Sequence, residues 1–131
     1  MNNSRETHGG DSITPGPDVS NAAGTIRNLN VAGNVSYLEC KPGSRRSSHW
    51  HRSDWHYLYV IYGYMNYYER PVGSDSKPSF RRVAAGEMVF TGPNVEHWSE
   101  FPVMTAMISV SRLHRTNEQH EADLVRVGWF E

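Results

Sequence analysis

From Thr25 onward, short apolar runs alternate with breaks that carry Gly or Pro. This is the pattern of strands and turns rather than of helices. Val35 to Glu39 reads as a strand ending in a turn at Lys41-Pro42-Gly43. His56 to Glu69 is the densest β-forming stretch, with Tyr57, Tyr59, Val60, Ile61, Tyr62, Tyr64, Tyr67 and Tyr68. Aromatic and β-branched side chains suit a pleated, half-buried surface. Gly63 interrupts the stretch and predicts a tight turn or bulge. Residues 71–79 (PVGSDSKPS) form a loop by composition. Strands are expected again over 80–84, 87–91, 102–113 and 124–130. Only 116–124 can hold a short helix, and no long window repeats at the helical period. The sum is an all-β domain, sandwich or barrel.

Residues 1–24 are rich in Asn, Ser, Gly, Thr and Pro, with isolated Ile13 and Val19. So little apolar surface does not offset the entropy of ordering. A mobile polar tail over 1–24 and a folded domain over 25–131 are therefore expected. A length of 131 residues fits one domain. Thirteen basic and fourteen acidic residues leave a net charge of −1, without the basic field a nucleic-acid partner requires. The pairs Arg45-Arg46 and Arg81-Arg82 are expected as ordinary solvated surface. Cys40 is the single cysteine, which excludes an intrachain disulfide. No apolar run reaches signal-peptide length near the start, or the roughly 18 residues of a membrane span. The expectation is a cytoplasmic protein with no membrane partner.

Seven histidines remain to be explained, and His49, His51 and His56 stand close together. Two apart on a strand, His49 and His51 share a face, with Trp50 on the other. His56 has the wrong parity for one continuous strand. Arg52-Ser53-Asp54-Trp55 is polar enough to be a turn, after which His56 opens an antiparallel strand beside the first. His97, behind a turn at Gly92-Pro93-Asn94, comes from a further strand. His8, His114 and His120 are expected as surface or hydrogen-bonded residues.

This spacing resembles the two motifs of the cupin superfamily. The first, G-x5-H-x-H-x4-E-x6-G, is matched at every interval by Gly43, His49, His51 and Gly63, with His56 in place of the glutamate. The second, G-x5-P-x-G-x2-H-x3-N, runs from Gly86 to His97, but Gly92, Asn94 and Phe101 stand at its proline, glycine and asparagine positions. Asn tolerates the left-handed turn conformation that a Gly would adopt there. The resemblance covers about Asn30 to Leu113. It implies a cupin-type antiparallel β-barrel (a jelly-roll), often a homodimer, with one metal ion in the barrel mouth held by His49, His51, His56 and His97. By strand parity Leu58 and Val60 should share the inward face with His56, as core residues, and Met65, Tyr67, Ser99 and Phe101 should either line the pocket or pack in the core.

Four neutral imidazoles leave a divalent ion its full charge, a stronger Lewis acid and a better host for an anion than the family's glutamate-containing set. Imidazole suits Zn, Fe, Ni and Cu, whereas Mg and Ca favour oxygen donors. Four ligands in a tetrahedron would close a zinc site; the resemblance implies one or two positions open to water or substrate. A third arrangement leaves His56 out. An open site fits a small oxygenated organic substrate, a keto-enol or ring compound. Iron would support dioxygenase chemistry, and zinc a cyclase or isomerase reaction with Tyr67, Glu100 or Asp54 moving the proton. Two other readings stand beside this one. The C-terminal stretch 117–127 loosely resembles the ends of cupins linked to nucleotide-sugar and polysaccharide pathways. A non-catalytic sensor that binds a ligand or metal is the third, although no DNA-binding element accompanies the barrel.

Overall fold

The computed structural model describes residues 10–113 and 117–128. Among the described residues, eleven strands and one helix follow in chain order: β1 Val19–Asn21, β2 Gly24–Asn28, β3 Val35–Cys40, β4 Ser44–His51, β5 His56–Tyr62, β6 Tyr64–Pro71, β7 Ser79–Ala84, β8 Met88–Thr91, β9 Val95–Phe101, β10 Thr105–Ser111, α1 Asn117–Asp123 and β11 Leu124–Arg126. They form a six-stranded sheet in the order β1-β2-β3-β10-β5-β8 and a five-stranded sheet in the order β11-β4-β9-β6-β7. Every pairing is antiparallel. The expected all-β jelly-roll is what the chain forms. No described helix is long and apolar enough to cross a membrane.

Alternation along β5 shows how the sequence decides the layering. His56, Leu58 and Val60 are buried, whereas Tyr57, Tyr59 and Ile61 are exposed. A period of two gives the strand one inner and one outer face. Leu38, Leu58, Val60, Met65, Val83 and Phe101, drawn from both sheets, belong to one buried cluster between them. Of the residues expected in the pocket or the core, Met65, Tyr67 and Phe101 are part of this packed core.

Gly63 is the corner where the chain leaves one sheet for the other. Its φ is +80°, and a Cβ there would lie 2.4 Å from the Met104 carbonyl oxygen and 2.6 Å from Oγ1 of Thr105. Only glycine fits both constraints. The Thr105 hydroxyl accepts the Tyr64 amide and donates to the Tyr64 carbonyl, which clamps the corner.

Two expectations change here. The sheet begins at Val19, since Val19, Ser20 and Asn21 pair with Ile26, Thr25 and Gly24 across a tight turn. Part of the segment assigned to a tail is thus an edge strand, while residues 1–9, including His8, lie outside the described residues. So does His114. The second change concerns β4 and β5, which are not neighbours in one sheet: β4 pairs with β9 and β11, and β5 with β10 and β8. The connector at 52–55 is a crossing between sheets, not a hairpin turn. Its polar composition reads the same way in either case.

Candidate metal centre

The crossing puts the histidines on facing walls. His49 and His51 come from β4, His97 sits opposite His49 across the β4–β9 ladder, and His56 opens β5 in the other sheet. Ring nitrogens of His49, His51 and His97 all lie within 4.8 Å of one another. The His56 ring centre is 5.2 Å from that of His97 and 5.9 Å from that of His51. The structure therefore brings all four together, with three forming the tightest group.

Their surroundings favour metal ligation. His51 and His97 are each 1% exposed and His56 5%, so water competes poorly for their nitrogens. Burial above all, and then the neighbouring His97, His51, His56 and His120 rings, hold the His49 ring far below the usual imidazole range. A neutral ring is the ligating form. The Val95 carbonyl lies 3.0 Å from Nδ1 of His97, and an Asp123 oxygen lies 3.5 Å from Nδ1 of His51. The Val95 carbonyl fixes the His97 tautomer in which Nε2 is the metal-binding atom, whereas the Asp123 contact to His51 is a proximity rather than a hydrogen bond. The donor set is one of soft-to-borderline nitrogens without thiolate, so it can hold a transition-metal ion.

Asp123 has a second task. It accepts hydrogen bonds from the amide and hydroxyl of Ser53 and from the amide of Asp54. Burial raises its carboxyl pKa, but these bonds and nearby His51 outweigh that and leave it lowered. It thereby ties the inter-sheet crossing to the end of α1. Asp54 is itself buried, and Oδ1 accepts the amides of Trp55 and Leu113.

A cavity of about 210 Å³ adjoins the cluster, with His49, His56, His120, Arg46 and Ser99 on its wall and Ile26, Leu38, Leu58 and Met107 as its apolar part. None of Tyr67, Glu100 and Asp54 lines it. Tyr67 faces a separate cavity with Glu69 and Arg81, and its hydroxyl hydrogen-bonds the Thr91 hydroxyl. Burial pushes this phenol up, out of reach of ionisation near neutrality. Glu100 is on the opposite face of β9 from His97, where it accepts the Tyr68 hydroxyl and lies 3.9 Å from Arg45. Ser99 is on the wall, as expected.

Three residues at the site escape a sequence reading. His120, expected as a surface or hydrogen-bonded residue, is delivered by α1 to within 5.7 Å of His51 and 6.4 Å of His49, ring centre to ring centre. Asp123 carries no local signal, because its partners are about 70 positions away. Arg46, expected as solvated surface, turns inward at an irregularity in β4 between Ser47 and His49. Arg45 is exposed, as expected.

No family model and no curated protein matches the sequence. Solved structures do. The capsular polysaccharide assembling protein CapF of Staphylococcus aureus superposes with a TM-score of 0.75 at 18% identity, over 88% of this chain and 32% of CapF. A variant of the oxalate decarboxylase of Bacillus subtilis gives 0.67 at 17% identity, over 95% of this chain and 35% of the enzyme. The CENP-C cupin domain of Drosophila melanogaster gives 0.57 at 16% identity, over 67% of each chain. The chain spans about a third of the length of the first two.

Proposed function

Because the chain has the cupin fold, we propose that it is a metal-dependent enzyme acting on a small oxygenated organic compound. His49, His51 and His97 hold the ion, and His56 completes the set or stands beside it. The observation that supports this most is the convergence of three imidazoles, one of them with a backing acceptor, beside a cavity with apolar walls. When bound, an ion in an all-nitrogen set supplies an undiminished positive charge that polarises a carbonyl or enolate oxygen, and iron adds redox capacity.

The chain's own residues do the rest. Ile26, Leu38, Leu58 and Met107 receive the apolar body of a ligand and keep water from it. Proton transfer falls to His120, which is on the wall, rather than to Tyr67, Glu100 or Asp54, which are not. His120→Gln should lower turnover with metal content unchanged.

The reading is tested by loading metal-stripped protein with iron(II) or zinc and presenting diketones and catechols. Substrate-dependent oxygen uptake with iron supports dioxygenase chemistry. Anaerobic conversion with zinc supports the cyclase or isomerase branch. Absence of both, in protein that still holds metal, leaves a ligand- or metal-binding domain instead.

The similarity to CapF supports a second reading, a place in polysaccharide or nucleotide-sugar metabolism. Four converging histidines count against a metal-free sugar mechanism there, though not against the pathway. Either way we propose a homodimer formed through the exposed apolar face of β5 and β8.

A further inference from the structure

Arg46 enters the barrel through a break in strand periodicity. On a regular strand, Arg46 and His49 would face opposite sides. The β4–β9 register shifts between Ser47 and His49, and Ser47 and Ser48 both take left-handed backbone angles, φ 77° and 68°. Such a bulge re-aims the side chains around it. Across the ladder, Arg46 therefore faces Ser99 just as His49 faces His97, and Arg46, His49 and Ser99 all line the same cavity. Two non-glycine residues in a costly conformation, directly before the histidines, are the kind of strain that collects at functional sites.

The guanidinium brought inside is poorly matched by protein. Its Nε–H points at the Cys40 thiol at 3.4 Å, a weak acceptor. Nη2 is buried with no hydrogen-bond acceptor, and no described carboxylate pairs with Arg46. Among the described residues, every titratable group on the cavity wall is Arg or His, with no Asp or Glu. The adjoining cavity, which shares Ile26, Leu38, Ser109 and His120, also has no acidic residue among the described residues of its wall. A half-buried cation whose Nη2 is sealed from water, on a cavity wall whose described titratable residues are basic, calls for an anion.

We infer that Arg46 is the anion-binding residue of this cavity, and that the ligand is a small organic acid whose carboxylate meets the guanidinium while its body lies against Ile26, Leu38, Leu58 and Met107. The inference deepens the metal-enzyme reading and rests on it for the ligand's reacting end, but not for the carboxylate contact. Arg presents a planar fork of N–H donors that fits a carboxylate, so the contact selects for charge and shape together.

The test is calorimetric titration of zinc-loaded protein with benzoate and with benzamide, its neutral counterpart. Wild type should bind benzoate roughly tenfold or more tightly than benzamide. Arg46→Gln should erase that preference without lowering zinc affinity measured by chelator competition. Should Arg46→Gln fail to fold, Arg46→Lys decides: benzoate weakened several-fold supports the inference, and unchanged binding overturns it. Equal benzoate binding by wild type and Arg46→Gln overturns it as well. So does zinc affinity that falls in step with benzoate affinity, or the absence of benzoate binding to wild type. The same titration on metal-stripped protein separates the two claims. If the chain takes up no metal, the metal reading fails, yet an Arg46-dependent preference for benzoate is still expected.

Discussion

The carboxylate of Asp123 accepts three hydrogen bonds from Ser53 and Asp54 and lies 3.5 Å from Nδ1 of His51. Removing it leaves the buried Asp54 amide and the part-buried Ser53 donors without an acceptor, and takes away a charge beside the His51 ring. Asp123→Ala should cost about 1–3 kcal/mol in urea unfolding and lower metal affinity by roughly 10–100-fold in chelator competition. Ser47, exposed and at φ 77°, makes the opposite case. Ser47→Gly should be neutral or slightly stabilising, whereas Ser47→Val should cost more than about 1 kcal/mol, because a β-branched side chain resists the left-handed region. At this scale the sequence is legible in part. His49, His51, His56 and His97 show themselves by spacing, because strand periodicity and the intervening glycines constrain where they fall. His120 and Asp123 do not, because a residue from the far end of the chain leaves no local trace of its neighbours. Arg46 misleads for a third reason: its parity is right for a regular strand and wrong for a bulged one.

Among the elements, the corner at Gly63 carries a sharp steric constraint. Gly63→Ala would push a methyl group into the Met104 carbonyl and the Thr105 hydroxyl, and should destabilise by about 2 kcal/mol or more in urea unfolding. Most strands were legible from alternation; β5 shows the period of two over its whole inner face. The partners of β4 and β5 were not. A four-residue polar connector serves a hairpin or a crossing between sheets equally well, and only the pairing of β4 with β9 and of β5 with β10 distinguishes them. The edge strand β1 was missed for a related reason. Its residues are polar and exposed, so pairing with β2 leaves no hydrophobic pattern to read. The short α1 fell within the expected 116–124, as a polar stretch between strands.

For the whole molecule, the outer face of the larger sheet is the main unassigned surface. Tyr57, Tyr59 and Ile61 of β5 adjoin Met88 and Phe90 of β8, and all five are exposed by 39% to 50%. A contiguous apolar strip of this kind on a small domain marks an association site, and an isologous pair of identical strips closes as a dimer. Sedimentation velocity should show a dimer, and Tyr59→Lys combined with Phe90→Lys should give a monomer at the same concentration; a monomeric wild type would contradict this. The barrel interior, in contrast, is organised around the histidines. That claim is tested most directly by the metal content of protein purified without added metal, measured by mass spectrometry beside His49→Ala and His97→Ala. The expected result is about one transition-metal ion per wild-type chain and far less in either variant. A wild-type protein that is metal-free, takes up neither zinc nor iron on reconstitution, and is no more stable than the two variants would contradict it.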